Sequence, residues 1–332
     1  MTPTSRSENP TSPDSPNAPS FPPPSAGEGQ GEGGRPNLSS PPPAGRVWWL
    51  AARPATLAAS VSPVLAGAAI AAHDHRVRPL PGIAALVVAI AMQVGVNYAN
   101  DHADFVRGAD TPKRVGPLRA AASGVVKPAH VRSAAIAAFG VAAAVGLALS
   151  LATDWRLILI GALAVAAGWL YTGGPRPYGY MGLGEVFVFC FFGLFATVGT
   201  VYVNELRIPP ASWAAGCATG ALACAILAIN NVRDLETDAG AGKRTLAVRM
   251  GRSPTRALVG ACFAVALIAP LLASAAGWVP RFGALPVLTV SMMVRVFGAT
   301  ASREPQVLIG ALKRTAVIEV WWALLWTLGV LL

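Results

Sequence analysis

The sequence predicts an all-α integral membrane protein of about nine transmembrane helices, preceded by a tail with no structure of its own. Three observations carry that expectation. Of the 332 residues, 54% are hydrophobic and only 13% are charged, against roughly a quarter charged in soluble proteins. Apolar runs recur from Trp48 to the C-terminus, and several approach the ~20 residues that cross hydrocarbon at helical rise. The first 45 residues are a different material, with 12 of the 28 prolines, many Ser and Gly, and almost no large apolar side chain.

Residues 1–45 cannot bury enough surface to offset chain entropy, so they are expected to be a disordered tail. They also lack the basic start and apolar core of a secretory signal. The domain follows over 46–332, with apolar segments at approximately 54–72, 81–100, 133–152, 155–171, 186–203, 212–230, 257–276, 282–300 and 315–332. The first opens behind Arg53-Pro54. The second ends in "VNYANDHADFVRGAD" (96–110), where an apolar helix runs into Asp101, Asp104 and Asp110. The third and fourth are rich in Ala and Gly, whose small size permits close packing of helices in a bilayer. The fifth opens at Glu185, an acid suited to the positive end of a helix. The sixth repeats the device of the second, ending in "INNVRDLETDAG" (229–240). The eighth and ninth carry Arg295 and Glu319 inside the span, where ionisable groups are candidates for function or for pairing.

The net charge of +10 could suggest nucleic acid as a partner. Set against the apolar segments, it reads as membrane orientation instead: with the N-terminus inside, 20 of the 26 Lys and Arg lie on the inner side and 5 on the outer. That assignment makes the chain a multi-pass protein of the plasma (inner) membrane, with both acidic clusters cytoplasmic. The four cysteines fall in apolar runs as packing residues, and the four histidines form no metal-binding pattern.

If each helix continues through its motif, Asn97 and Asp101 share a face, as do Asp101 with Asp104 and the series Asn230, Asp234, Asp238. Like charges on one face repel unless a cation lies between them. Carboxylate and amide oxygens are the donors Mg²⁺ selects, usually with phosphate and water completing the shell. Each cluster is followed by basic residues: Lys113, Arg114 and Arg119 after the first, and Lys243, Arg244 and Arg249 after the second. Carboxylates with guanidinium and ammonium donors can hold a metal and a polyanion together. A lipid diphosphate fits both halves of such a protein, its head at the cytoplasmic face and its tail between helices.

These residues resemble those of the UbiA superfamily of membrane prenyltransferases. The family's first motif matches Asn100, Asp101, Asp104 and, at a longer gap, Asp110; its second matches Asp234 and Asp238. "RPATLAASVSPVLAG" (53–67), "GPLRAAASG" (116–124) within the first block, "YTGGPRPYGYMGLGE" (171–185) and "NNVRDLETDAGAGKRTLAVRMG" (230–251) resemble the menaquinone branch, whose acceptor is 1,4-dihydroxy-2-naphthoate. The resemblance covers about 46–332 and implies a nine-helix bundle. It also implies Mg²⁺ on Asp101, Asp104, Asp234 and Asp238, with Asp110 a further candidate, and loss of diphosphate from a polyprenyl diphosphate. Asn97, Asn100, Asn230 and Asn231 are expected as supporting amides. Lys113, Arg114, Arg119, Lys243 and Arg244 are expected on diphosphate, with the acceptor carboxylate an alternative partner for Arg119. Tyr171, Arg176, Tyr178, Tyr180 and Glu185 share one stretch at the mouth of the bundle, where aromatic faces can stabilise an allylic cation. Arg53 is a candidate for substrate contact or for anchoring at the headgroups. Two other readings compete: a transferase of the same family with 4-hydroxybenzoate, homogentisate or a porphyrin as acceptor, and a polytopic transporter with broken helices. Against the transporter, the acidic clusters sit at one face of the membrane and the outer loops carry few ionisable groups.

Overall fold

The computed structural model describes residues 42–108 and 118–332. The expected tail, up to residue 41, lies outside the described residues, as do Asp110, Lys113 and Arg114. Among the described residues the elements are helical. A short helix α1 (Ala44–Ala51) is joined to α2 (Ala58–His73) through a break at which Arg53 adopts a left-handed φ of 54°; the chain turns there by 50°. Then come α3 (Pro79–Val106), α4 (Pro128–Thr153) and α5 (Leu157–Leu170). Proline stands in the first turn of α3 and α4, and again in α8 (Pro210–Arg233) and α13 (Pro305–Leu331). Its fixed φ suits a helix start, and its missing N–H costs nothing there.

The fifth expected segment is built in three parts: α6 (Gly184–Val188), a π-helical turn Phe189–Phe195, and α7 (Ala196–Glu205). Short helices α9 (Leu235–Gly240) and α10 (Leu246–Met250) follow α8, then α11 (Arg252–Ala275), α12 (Val290–Ala299) and α13. Each of the nine expected apolar segments coincides with helix. By length and apolarity, six described helices qualify as spans, or seven if the bent pair α1–α2 is one. Of the others, α5 has 14 residues and α13 carries Lys313, Arg314 and Glu319. The chain is a multi-pass membrane protein, and nine is an approximate count.

Helix α8 is the axis of the bundle: 83% of its most apolar stretch is buried. Its Ala-rich sequence explains this, because small side chains let α2, α7, α11 and α13 close around it. The tightest crossing is glycine on glycine. A Cβ at Gly193 would lie 2.3 Å from the Cα of Gly220, so neither position can carry a side chain without separating the helices. On α13, Trp322 and Trp326 stack at 5.5 Å, and their indole N–H groups donate to the carbonyls of Ala266 and Ala66. Of the two ionisable residues expected inside spans, Arg295 is exposed while Glu319 is fully buried. Cys224 and Cys262 are buried in the core, as packing residues should be.

Candidate active site

The C-terminal ends of α3 and α8 reach the same end of the bundle and carry the two acidic motifs. On α3, Asp101 is 1% exposed and accepts the backbone amides of Ala120 (2.8 Å) and Ala121 (3.1 Å). Its carboxylate thereby anchors the 118–126 loop, whose Ala120, Ala121 and Val126 pack under Val47 and Ala51 of α1. That loop delivers Arg119. Three residues further along α3, Asp104 is a hub of cations and donors. It accepts from Arg119 at 2.9 Å, from the Tyr180 hydroxyl at 2.7 Å and from Lys243 at 2.8 Å. Burial, reinforced by Asp104 beside it, holds the Tyr180 phenol above its ordinary range, so it stays protonated and donating.

On α8 a local arginine is one partner. Arg233 donates to Asp234 (2.7 Å) and to the amide oxygen of Asn230 (2.9 Å). Asp238 projects from α9, and Lys243 lies 3.7 Å from it. Lys243 thus stands between a carboxylate of each motif. Among the described residues no three His, Cys, Asp or Glu side chains converge as a ligand set. The two motifs face each other across an ammonium, so the hard oxygens of both already share one cation. That donor chemistry fits Mg²⁺.

Behind this polar end lies a cavity of about 330 Å³. Arg53, Asn97, Asn100, Asn230, Tyr171 and Tyr178 line its mouth, and the rest of its wall is largely apolar. The expected site residues therefore divide. Asn100 and Asn230 line the cavity near the acids. Asn97 also lines it, but its side chain is committed: its amide N–H donates to Ala52 O and Thr56, and its oxygen accepts from Gln93. It ties α3 to the break that holds Arg53. Asn231 instead points away from the cavity and donates to Glu185 at 2.9 Å, which fastens α8 to α6. Tyr178 donates to the Ala167 carbonyl, presenting its ring to the cavity and not its hydroxyl. Arg176 and Arg244 are exposed at the mouth.

Two residues were missed by motif reading although they sit within the motifs. Arg107 donates to the carbonyls of Thr172 and Gly174 and lies 5.3 Å from the Tyr180 ring centroid. It thereby clamps the tyrosine-bearing loop to the end of α3. Arg233, adjacent to Asp234, is the other. Their positions beside motif acids were the available signal, since an arginine in such a place is poised to fork onto a carboxylate.

The model of the UbiA prenyltransferase family matches residues 60–309. The chain is 42% identical over 279 residues to the 1,4-dihydroxy-2-naphthoate octaprenyltransferase of Mycobacterium tuberculosis, covering 83% of this chain and 94% of that one. It is 32% identical over 289 residues to the protein of the same name in Bacillus subtilis, covering 87% and 93%. The fold is similar to that of a UbiA homolog from Archaeoglobus fulgidus bound to GPP and Mg²⁺, with TM-score 0.61, 14% identity, and 86% and 99% of the two chains covered. An apolar cavity closed at one end by two facing acidic motifs accords with the sequence matches, and the chain belongs to the UbiA prenyltransferase family.

Proposed function

We propose that this protein transfers a polyprenyl group from a polyprenyl diphosphate to 1,4-dihydroxy-2-naphthoate, releasing diphosphate and CO₂ and forming demethylmenaquinol, which oxidises to demethylmenaquinone. The observation that carries the reading is the junction of the two motifs through Lys243, at the mouth of a largely apolar cavity. A diphosphate head and an isoprenoid tail need those two environments side by side.

Asp104, Asp234 and Asp238 would hold Mg²⁺, with Asp101 contributing the lone pairs its loop amides leave. The metal supplies neutralisation of the departing diphosphate. Arg119, Lys243 and Arg233 pair with carboxylates in this structure and would turn to the phosphate oxygens when the donor binds, where cationic donors stabilise the leaving group. As the allylic C–O bond breaks, its electron pair leaves with diphosphate. The rings of Tyr171 and Tyr178 face the cavity mouth and present negative π faces to the allylic cation. The naphthoate carbon that bears the carboxylate forms the new C–C bond. Loss of CO₂ then returns the electron pair of the broken bond to the ring and restores aromaticity. Arg53, in the cavity wall, would meet the acceptor's carboxylate, with Arg119 the alternative.

The basic bias of the loops on the motif-bearing side supports a cytoplasmic active site in the plasma membrane. The test is an incubation of membranes containing the protein with polyprenyl diphosphate, Mg²⁺ and the naphthoate, with EDTA as control and mass identification of product. A decarboxylated prenyl-naphthoquinone that disappears with EDTA supports the reading. Product from 4-hydroxybenzoate or homogentisate alone would keep the site and change the acceptor.

A further inference from the structure

Five positions on the broken span line the cavity at intervals of four: Phe187, Phe191, Phe195, Gly199 and Val203. In an α-helix such a series drifts one way around the axis, whereas through the wider π turn Phe189–Phe195 it drifts the other way, so along this broken span the two offsets partly cancel. The three phenylalanines form a rail that continues from the mouth. Tyr178 stacks on Phe187 at 4.0 Å, Phe187 faces Phe191 at 6.1 Å, and Phe191 meets Phe195 at 5.1 Å. At the next position the aromatic series stops.

Gly199 is not explained by packing. A Cβ built at Gly193, six residues earlier, collides with α8, whereas one built at Gly199 meets nothing within 4 Å. The space that a side chain at 199 would fill belongs to the cavity. Rise along the helix puts Gly199 roughly 18 Å beyond Phe187, toward the far end of the span and half-buried, with Val203 beyond it.

We propose that Gly199 sets the length of isoprenoid tail the protein accepts, by leaving open the part of the cavity that a fourth ring in the rail would close. The proposal rests on the prenyl-transfer reading and adds to it the residue that determines donor length. The experiment uses the purified full chain with Mg²⁺ and the naphthoate, comparing geranyl and octaprenyl diphosphate as donors. Gly199→Phe should lower kcat/KM for octaprenyl diphosphate by tenfold or more, the order that an occupied apolar pocket imposes on a larger substrate. With geranyl diphosphate it should stay within about twofold of the parent on the same scale. Gly199→Leu should shift the same ratio less. Thermal stabilisation of each variant by the two diphosphates, read without acceptor, reports tail binding even if the acceptor has been misassigned. Equal treatment of the two donors by folded Gly199→Phe, in turnover and in stabilisation, overturns the proposal. So does failure of both variants to fold, because that would make Gly199 a packing residue. Absence of any product from the parent chain, with octaprenyl diphosphate still binding selectively, would instead count against the reaction and not against Gly199.

Discussion

In the first acidic motif, Asp101 grips two loop amides and Asp104 gathers an arginine, a lysine and a tyrosine drawn from three other segments. In the second, Asp234 is held by the arginine beside it and Asp238 stands at the edge, its side chain 14% exposed. The two motifs read as one device used twice, yet the first draws in a loop and side chains from distant segments, while the second holds Arg233 beside it and meets the first at Lys243. The lesson is that matching residues at matching spacing predict shared chemistry without predicting shared structural duty. That duty depends on which loops arrive from elsewhere.

The sharpest way to break this comparison is at Asp104. Asp104→Ala should abolish measurable product and also destabilise the protein by about 3–5 kcal/mol, because it removes the buried carboxylate that Arg119 and Lys243 share. A thermal melt unchanged from the parent would show that the hub does not bear on stability.

Next in size is the pair Asp101→Asn and Asp234→Asn. Both should lose turnover by about 10²-fold or more, as removal of a charge-stabilising group does. Asp101→Asn should lower the melting temperature more, since it weakens charge-assisted bonds to two amides of a distant loop at a cost of about 1.5–3 kcal/mol, whereas Arg233 is kept beside Asp234 by the chain itself. Equal melting temperatures would erase the distinction between the motifs.

Lys243→Met tests the bridge between them. With the ammonium gone, Asp104 and Asp238 repel, so Mn²⁺ binding measured by electron paramagnetic resonance without diphosphate should tighten while turnover falls. Weaker Mn²⁺ binding would show that the lysine does not compete for the metal position. A smaller effect is expected at Arg107. Arg107→Ala removes two bonds to the 172–174 backbone and should raise KM for either substrate several-fold, in line with about 1 kcal/mol per bond, with kcat little changed. The smallest effect on chemistry belongs to Asn231→Ala, which leaves Glu185 without this donor. It should lower stability by about 1–3 kcal/mol, with kcat near the parent value.

Much of this was legible in the sequence, for identifiable reasons. Apolar length marked each of the nine helical segments because hydrocarbon demands it, and Pro79, Pro128, Pro210 and Pro305 start helices by local stereochemistry alone. The acids were legible because carboxylates at the end of an apolar helix have few other uses. Asn231 was not: it was expected as a supporting amide with the motif, but a place in a motif on a crowded central helix does not say which neighbour a side chain faces. Tyr180 was legible as a residue of the mouth but its bond to Asp104 was not, nor was the hold of Arg107 on the 172–174 backbone, because each is a contact with a distant segment.

The sequence by itself determined what must be buried in lipid, where helices begin, and which residues carry charge at the membrane face. These follow from transfer free energy and backbone geometry, which act residue by residue. Only the tertiary structure decided that Lys243 stands between the two motifs, that Asp101 holds a loop, and that three phenylalanines and a glycine of a span broken by a π turn line one cavity. Those outcomes depend on how helices cross, and the crossings are set by close contacts such as Gly193 on Gly220. A contact between residues far apart in the chain leaves no local signature in either of them.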